Sequence, residues 1–438
     1  MNKLAQELNQ VLQGTAAYEL LSEQGKRFYF PKGIVSQTSE AKEHAKRHNA
    51  TVGMAFHRAE PMYLSAIRDL LPELKPDEIF SYSTTAGEPV LRRLWQQEMK
   101  QKNPLLEGTT TSLPLVVAGL THGIATAADL FVEQDDPVVI PDMFWGNYRL
   151  IFELRRQARI ETFPFFAEDG SLNCNGSLNC QGLKDRILQV SRAGKAVVLL
   201  NFPNNPTGYS PTQQEAEELI QIFGELAERG IKLLVITDDA YFGLFYEKET
   251  YKQSLFSSLA SLHPNIVAVK VDGCTKEDMT WGFRIGFLTF GSKGLGSEHY
   301  TALEKKTMGL IRSSISNASR PAQSLLIRGL QSKTYRHEKT EAFKLMEQKY
   351  LKVKEILGRS AIPSSMRALP YNSGYFMCFK MLKGKAESLR QTLLYSEGIG
   401  TIAIGEEYLR VAYSIPDLEE LEDIYSTIFR TAEKLTGA

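Results

Sequence analysis

The chain has 438 residues, 43% of them hydrophobic, which is enough for two domains and a sizeable buried core. Lysine plus arginine and aspartate plus glutamate stand at 51 each, so no whole-protein field draws the chain to nucleic acid or to an anionic membrane. Cys174, Cys180, Cys274 and Cys378 have no metal-ligand spacing and are too few for a disulfide framework; with no apolar signal core in Met1–Gly25 and no run of membrane-spanning length, the expected location is the reducing cytoplasm.

Residues 1–80 show no regular alternation and are expected to form an N-terminal arm and part of a small domain. Across 81–335, short β-rich apolar runs alternate with amphipathic helical stretches. The runs are Leu115–Val117, Pro137–Ile140, Ala196–Asn201, Lys232–Thr237, Ile266–Val271 and Phe287–Phe290, and Pro211–Arg229 is a clear helical example. This alternation predicts an α/β fold: a large domain with a mostly parallel central sheet covered by helices. Residues 336–438 lose that signature. A charged helix near Lys339–Gly358, strands around Ser373–Phe379 and Tyr408–Tyr413, and a closing helix from Asp417 suggest a smaller α+β domain completed by the N-terminal segment. A tandem Gly-Ser-Leu-Asn-Cys within Gly170–Cys180 reads as a duplication in a surface loop.

The chemistry-bearing residues come in a fixed order. Gly119-Leu120-Thr121-His122-Gly123 follows a strand and opens a helix, so unpaired backbone N–H groups and the positive dipole end converge where a phosphate fits. His122 is given no role there. Trp145, in Pro141–Tyr148, should emerge at the sheet's carboxyl edge and offer a flat face to a heteroaromatic ring. Asn205 sits in the turn Asn201–Gly208, and Asp238 ends an apolar strand, where a carboxylate is costly unless it meets a cation such as a protonated pyridine nitrogen. Asp239 competes for that part; Asp238 is preferred because it stands three residues before Tyr241. Asn205 and Tyr241 can hydrogen-bond a ring phenolate. Lys276 follows another apolar strand and is suited to a Schiff base and to proton transfer; Arg284 lies eight residues on, in Gly-Phe-Arg-Ile-Gly, and can hold phosphate. Arg410, in a predicted strand, can grip a substrate carboxylate. An amide, a carboxylate, a phenol, an amine and the Arg284 guanidinium together fit pyridoxal 5'-phosphate.

From about Tyr82 to Arg410 the ordered motifs resemble the pyridoxal-phosphate-dependent aminotransferases of class I/II, in the fold type I superfamily typified by aspartate aminotransferase. The resemblance implies that 81–335 is the cofactor-binding domain. It makes Lys276 the imine lysine, Asp238 the pyridine-nitrogen partner, and Asn205 and Tyr241 the phenolate partners. Arg284 and the Gly119–Thr121 turn would hold phosphate, Trp145 would stack on the ring, and Arg410 would bind the substrate α-carboxylate. Tyr82 resembles the tyrosine that reaches the phosphate of a neighbouring subunit, which implies a homodimer with shared active sites. Gly53 loosely matches the glycine whose loop covers the substrate. Trp145-Gly146-Asn147 and Ile311–Asn317 resemble the aspartate and aromatic branch, with Arg312 as the second substrate arginine, acting from the partner.

Departures accompany these matches. The serine usual three residues before the lysine is replaced by Gly273, with Cys274 and Thr275 as candidates to compensate, and Tyr148 stands where the branch tends to have histidine. The segment from Lys32 to Thr51 matches nothing in the family. The expected activity is amino transfer between an L-amino acid, dicarboxylic or aromatic, and a 2-oxo acid, 2-oxoglutarate foremost. The alternatives are a lyase or decarboxylase on the same cofactor, or a non-catalytic ligand-binding module.

Overall fold

The computed structural model describes residues 2–13, 15, 21, 23–27, 34–167, 177–191 and 194–437. Its central sheet has seven strands: β1 (Leu115–Val117), β2 (Pro137–Pro141), β3 (Arg159–Phe163), β4 (Lys195–Asn201), β5 (Lys232–Asp238), β6 (Ile266–Asp272) and β7 (Gly286–Gly291). They lie in the order β1-β7-β6-β5-β4-β2-β3, and β7 runs against the common direction. The central strands are buried on both faces, as Val197–Leu200 and Leu233–Ile236 show, which is why they read as continuous apolar runs. Strand β3 has no such run. It is an edge strand carrying Arg159 and Glu161, so the apolar pattern passed over it.

From Ile34 onward the helices of ten residues or more are α1 (Ile34–His44), α2 (Pro89–Lys102), α3 (Gly119–Phe131), α4 (Cys180–Val190), α5 (Gln213–Glu228), α6 (Ser297–Ser314), α7 (Arg320–Gln331), α8 (Tyr335–Arg359), α9 (Ala386–Tyr395) and α10 (Leu421–Thr436). Helix α5 shows how sequence sets these elements. Thr212 and Glu215 close a reciprocal capping box at its start, and Leu219, Ile222, Phe223 and Leu226 form the face buried against the sheet. Among the described residues, no helix is long and apolar enough to cross a membrane.

A second, antiparallel sheet is made of β8 (Met366–Ala368), β9 (Phe376–Met381), β10 (Ile402–Ile404) and β11 (Tyr408–Ala412), in the order β8-β9-β11-β10. Leu389 and Leu393 of α9 pack with Ile424 and Ile428 of α10 in its core. Upstream, His48–Asn49 pairs in parallel with Ile399–Gly400.

The repeated pentapeptide differs from expectation. Its first copy, Gly170–Cys174, lies outside the described residues. Of the second, Gly176 also lies outside them and Ser177 is exposed, while Leu178 is buried and bridges Phe166, Asn179 caps α4 through the Gly182 N–H, and Cys180 is buried.

The two sheets meet where the turn leaving β4 reaches Gly208. Its carbonyl accepts from the N–H groups of Asn372 and Ser373 at 3.0 and 2.9 Å. Its φ of +72° suits glycine, and a Cβ there would fall 1.9 Å from the Phe376 carbonyl oxygen. Gly208→Ala is expected to cost roughly 2 kcal/mol or more, seen as a lower urea midpoint than wild type; an unchanged midpoint would show that this junction can relax.

Candidate active site

Strands β4 and β5 end side by side, with Asn201 opposite Asp238 in register. The Asn201 amide donates to the Asp238 carbonyl at 2.7 Å, and its oxygen accepts from the Asn205 N–H at 2.8 Å. This brings the Asn201–Gly208 turn back over the sheet's carboxyl edge, the usual ligand edge of such sheets. A cavity of about 400 Å³ opens there, with Asp238, Tyr241, Lys276, Asn205, Trp145 and Arg410 in its wall. Leu120, Thr121, Arg284 and Gly53 line it as well.

The two adjacent aspartates have separate fates. Asp239 turns inward, accepts from Ser254 at 2.6 Å, and pairs with the buried Lys270, which also reaches Asp272 at 3.0 Å. Asp238 faces the cavity. One carboxylate oxygen accepts from the Tyr148 hydroxyl at 2.5 Å and the other from the Ala240 N–H at 3.1 Å. Burial raises the Asp238 carboxyl to about 6, against the Tyr148 hydrogen bond and the charge of Lys276, which favour the anion. Sequence reading treated Tyr148 only as a departure. Its position at the head of the π-helix Arg149–Arg155, fully buried, is what aims its hydroxyl at Asp238.

Lys276 lies in the tight turn after β6. Desolvation lowers its amine to about 8, with Asp238 opposing and Arg284 reinforcing the fall. The turn is fastened from several sides. The Tyr375 hydroxyl donates to the Lys276 carbonyl at 3.0 Å. Glu277 pairs with Lys102 and Lys339 at 2.8 and 2.9 Å, and Asp278 accepts from Lys339 at 2.8 Å and from Tyr335 at 2.6 Å.

At the start of α3, Gly119 has φ +78°, and a Cβ there would lie 2.5 Å from the Arg284 guanidinium. The close approach of Arg284 to a helix N-terminus therefore requires glycine. His122 staples the same turn, accepting from the Ala118 N–H at 3.1 Å. Gly273 has no room for a serine, since a Cβ would stand 2.8 Å from the Ile285 carbonyl oxygen and 3.0 Å from Leu120. Of its two candidate substitutes, Cys274 is buried in the core and Thr275 lines the cavity.

Arg410, on β11, is 1% exposed. Its guanidinium donates to Asn205 Oδ1 at 2.8 Å and to the Thr51 carbonyl at 2.7 Å, and it lies 4.3 Å from the Phe376 ring centroid. Burial lowers its pKa, and its Nε has no partner. Among the described residues no carboxylate pairs with it. Gly53 closes in from the other side; a Cβ there would lie 2.8 Å from the Tyr241 hydroxyl.

Two expected residues are outside this chain's cavity. Tyr82 is 91% exposed, and Arg312 is an exposed residue of α6 that donates to Ser316 at 2.6 Å. Three residues that sequence reading missed line the cavity from α1: Thr38, Ser39 and Lys42. Their signal was weak because the Lys32–Thr51 segment carries no recognisable motif.

The class is now fixed. The model of aminotransferase class I and II matches residues 57–428, and the chain belongs to that family, whose members depend on pyridoxal phosphate. It is 24% identical over 259 residues to an aspartate aminotransferase of Bacillus sp. (strain YM-2), covering 59% of this chain and 60% of that one. It is 24% identical over 411 residues to a probable aspartate/prephenate aminotransferase of Aquifex aeolicus, covering 90% and 94%. A crystal structure of an aminotransferase from Anaerococcus prevotii superposes with a TM-score of 0.82 at 23% identity, over 95% of this chain and 99% of that one. The chain thus spans about 60% of the length of the Bacillus relative. The side chains present fit the cofactor: a glycine-only helix start beside Arg284, a buried carboxylate at Asp238, and a desolvated amine at Lys276.

Because the Asp238 pKa is raised above its unfolded value, its contribution to apoprotein stability is present at low pH and is lost as pH rises through about 6. Tyr148→Phe removes a donor to the anion and should move that loss upward by on the order of one pH unit. The check is the pH dependence of apoprotein unfolding, with Asp238→Asn as reference; superimposable wild-type and Tyr148→Phe profiles would contradict it.

Proposed function

We propose that the protein is a pyridoxal-phosphate-dependent aminotransferase that exchanges an amino group between an L-amino acid and a 2-oxo acid, with 2-oxoglutarate as the chief acceptor. The observation that carries this reading is the pairing, in one cavity, of a lowered-pKa amine at Lys276 with a buried Arg410 that lacks a carboxylate. When bound, the cofactor supplies an aldehyde that condenses with amines and a ring that takes up electron density.

The chain's residues supply the rest. Lys276 would hold the cofactor covalently until substrate displaces it, and its amine, which desolvation lowers to about 8 in this chain, would then be placed to move a proton between the substrate Cα and the cofactor side. Asp238, whose anion the Tyr148 hydrogen bond favours, would meet the ring nitrogen. Tyr241 and the amide nitrogen of Asn205 would face the phenolate oxygen, and Trp145 would cover the ring. Arg284, the Gly119–Thr121 turn and Thr275 would hold the phosphate. Arg410 receives the α-carboxylate; a buried guanidinium without a counter-ion costs several kcal/mol, and the substrate anion offsets that cost. Its bond to Asn205 couples carboxylate binding to the cofactor contact.

The same reading makes the protein a cytoplasmic homodimer, with residues 81–335 as the cofactor-binding domain and 1–80 and 336–438 as the arm and small domain. The position of Tyr82, outside its own cavity, supports a role in a partner's site.

Lys276→Ala is expected to retain the fold by circular dichroism, lose all borohydride-fixable cofactor, and fall in turnover by more than about a thousandfold. A variant that still fixes cofactor, or turns over normally, would refute the assignment.

A further inference from the structure

The cavity wall carries four cationic side chains, Lys42, Lys276, Arg284 and Arg410, against one carboxylate, Asp238. The proposed function uses three of these cations, for the aldehyde, the phosphate and the α-carboxylate. Lys42 is left over. Its ammonium has no ion-pair or hydrogen-bond partner among the described residues.

Helix α1 is built to present it. On one face, Gln37 exchanges two hydrogen bonds with the backbone of Ala403 at 3.0 and 2.8 Å. Glu40 pairs with Arg390 at 2.9 Å and accepts from Tyr395, and Ala41 packs so closely that a Cβ on Gly400 would meet it at 2.9 Å. His44 completes that face against the Tyr395 ring at 5.1 Å. Residues 37, 40, 41 and 44 thus anchor the helix, and the i, i+1, i+4 set Thr38, Ser39 and Lys42 turns to the cavity. The two nearby acids are engaged elsewhere: Glu40 with Arg390, and Asp238 with Tyr148. Glu43 lies 3.8 Å from His44 and does not line the cavity.

We propose that Lys42, flanked by the hydroxyls of Thr38 and Ser39, is the second anion site of the substrate pocket. It selects amino acids and 2-oxo acids whose side chain ends in a carboxylate, and it does so from the same chain that supplies Arg410. The inference rests on the amino-transfer reading, and it assigns to α1 the part that family resemblance gave to Arg312 of a partner subunit.

The test uses holoenzyme with Lys42→Ala, Lys42→Arg and Arg312→Ala. Dissociation constants are measured by calorimetry for maleate, a dicarboxylate, and for 3-phenylpropionate, a monocarboxylate; kcat/KM is measured for L-glutamate and L-phenylalanine. In Lys42→Ala the glutamate-to-phenylalanine ratio and the preference for maleate should both fall by about tenfold to a hundredfold, with Lys42→Arg restoring most of each. Equal losses on both ligand types, or a selective loss only in Arg312→Ala, would overturn the proposal. Borohydride fixation at Lys276 in every variant separates this outcome from failure of the amino-transfer reading itself.

Discussion

A carboxylate and a guanidinium, each buried and neither neutralised by the other, face one cavity at the carboxyl edge of the central sheet. Asp238 is there because β5 ends at it, and Arg410 because β11 holds it. Burying such groups is costly, and only Asp238 has an opposite charge beside it, that of Lys276, whereas no carboxylate among the described residues pairs with Arg410. Local hydrogen bonds reduce the cost without removing it: Tyr148 and Ala240 for the acid, Asn205 and the Thr51 carbonyl for the base. On the proposed reading, a cationic ring would meet the acid and a substrate carboxylate the base.

The scaffold around these charges uses its buried ion pairs for rigidity. Lys270 with Asp239 and Asp272, and Lys339 with Glu277 and Asp278, lie on either side of Lys276 in the chain and hold the strand before it and the turn that carries it. Trp95 adds a donor to Asp272 at 3.1 Å. The result is a fixed amine in a partly desolvated position, the setting in which a lysine is a competent nucleophile at neutral pH.

Much of this was legible in the sequence because it follows from short-range pattern. Six of the seven central strands are apolar runs; Asp238 ends one of them, and Asn205, Tyr241, Lys276 and Arg284 sit in turns that directly follow or precede them. What stayed hidden depends on tertiary placement. Edge strand β3 has an alternation diluted by charge, and the buried cation Lys270 interrupts a run that otherwise reads as apolar. Tyr148 looked like a substitution because nothing local reveals that its hydroxyl ends at Asp238, 90 residues later. The α1 wall was invisible for a similar reason: Gln37 and Ala403, which set its orientation, are 366 residues apart.

The measurement that bears most directly on amino transfer is a single turnover of holoprotein with L-glutamate and no acceptor, assayed together for 2-oxoglutarate, ammonia and carbon dioxide. The account predicts one equivalent of 2-oxoglutarate per Lys276 and neither gas nor ammonia, because the amine stays with the cofactor. Release of ammonia or carbon dioxide in place of that exchange would contradict it and assign the same site to lyase or decarboxylase chemistry.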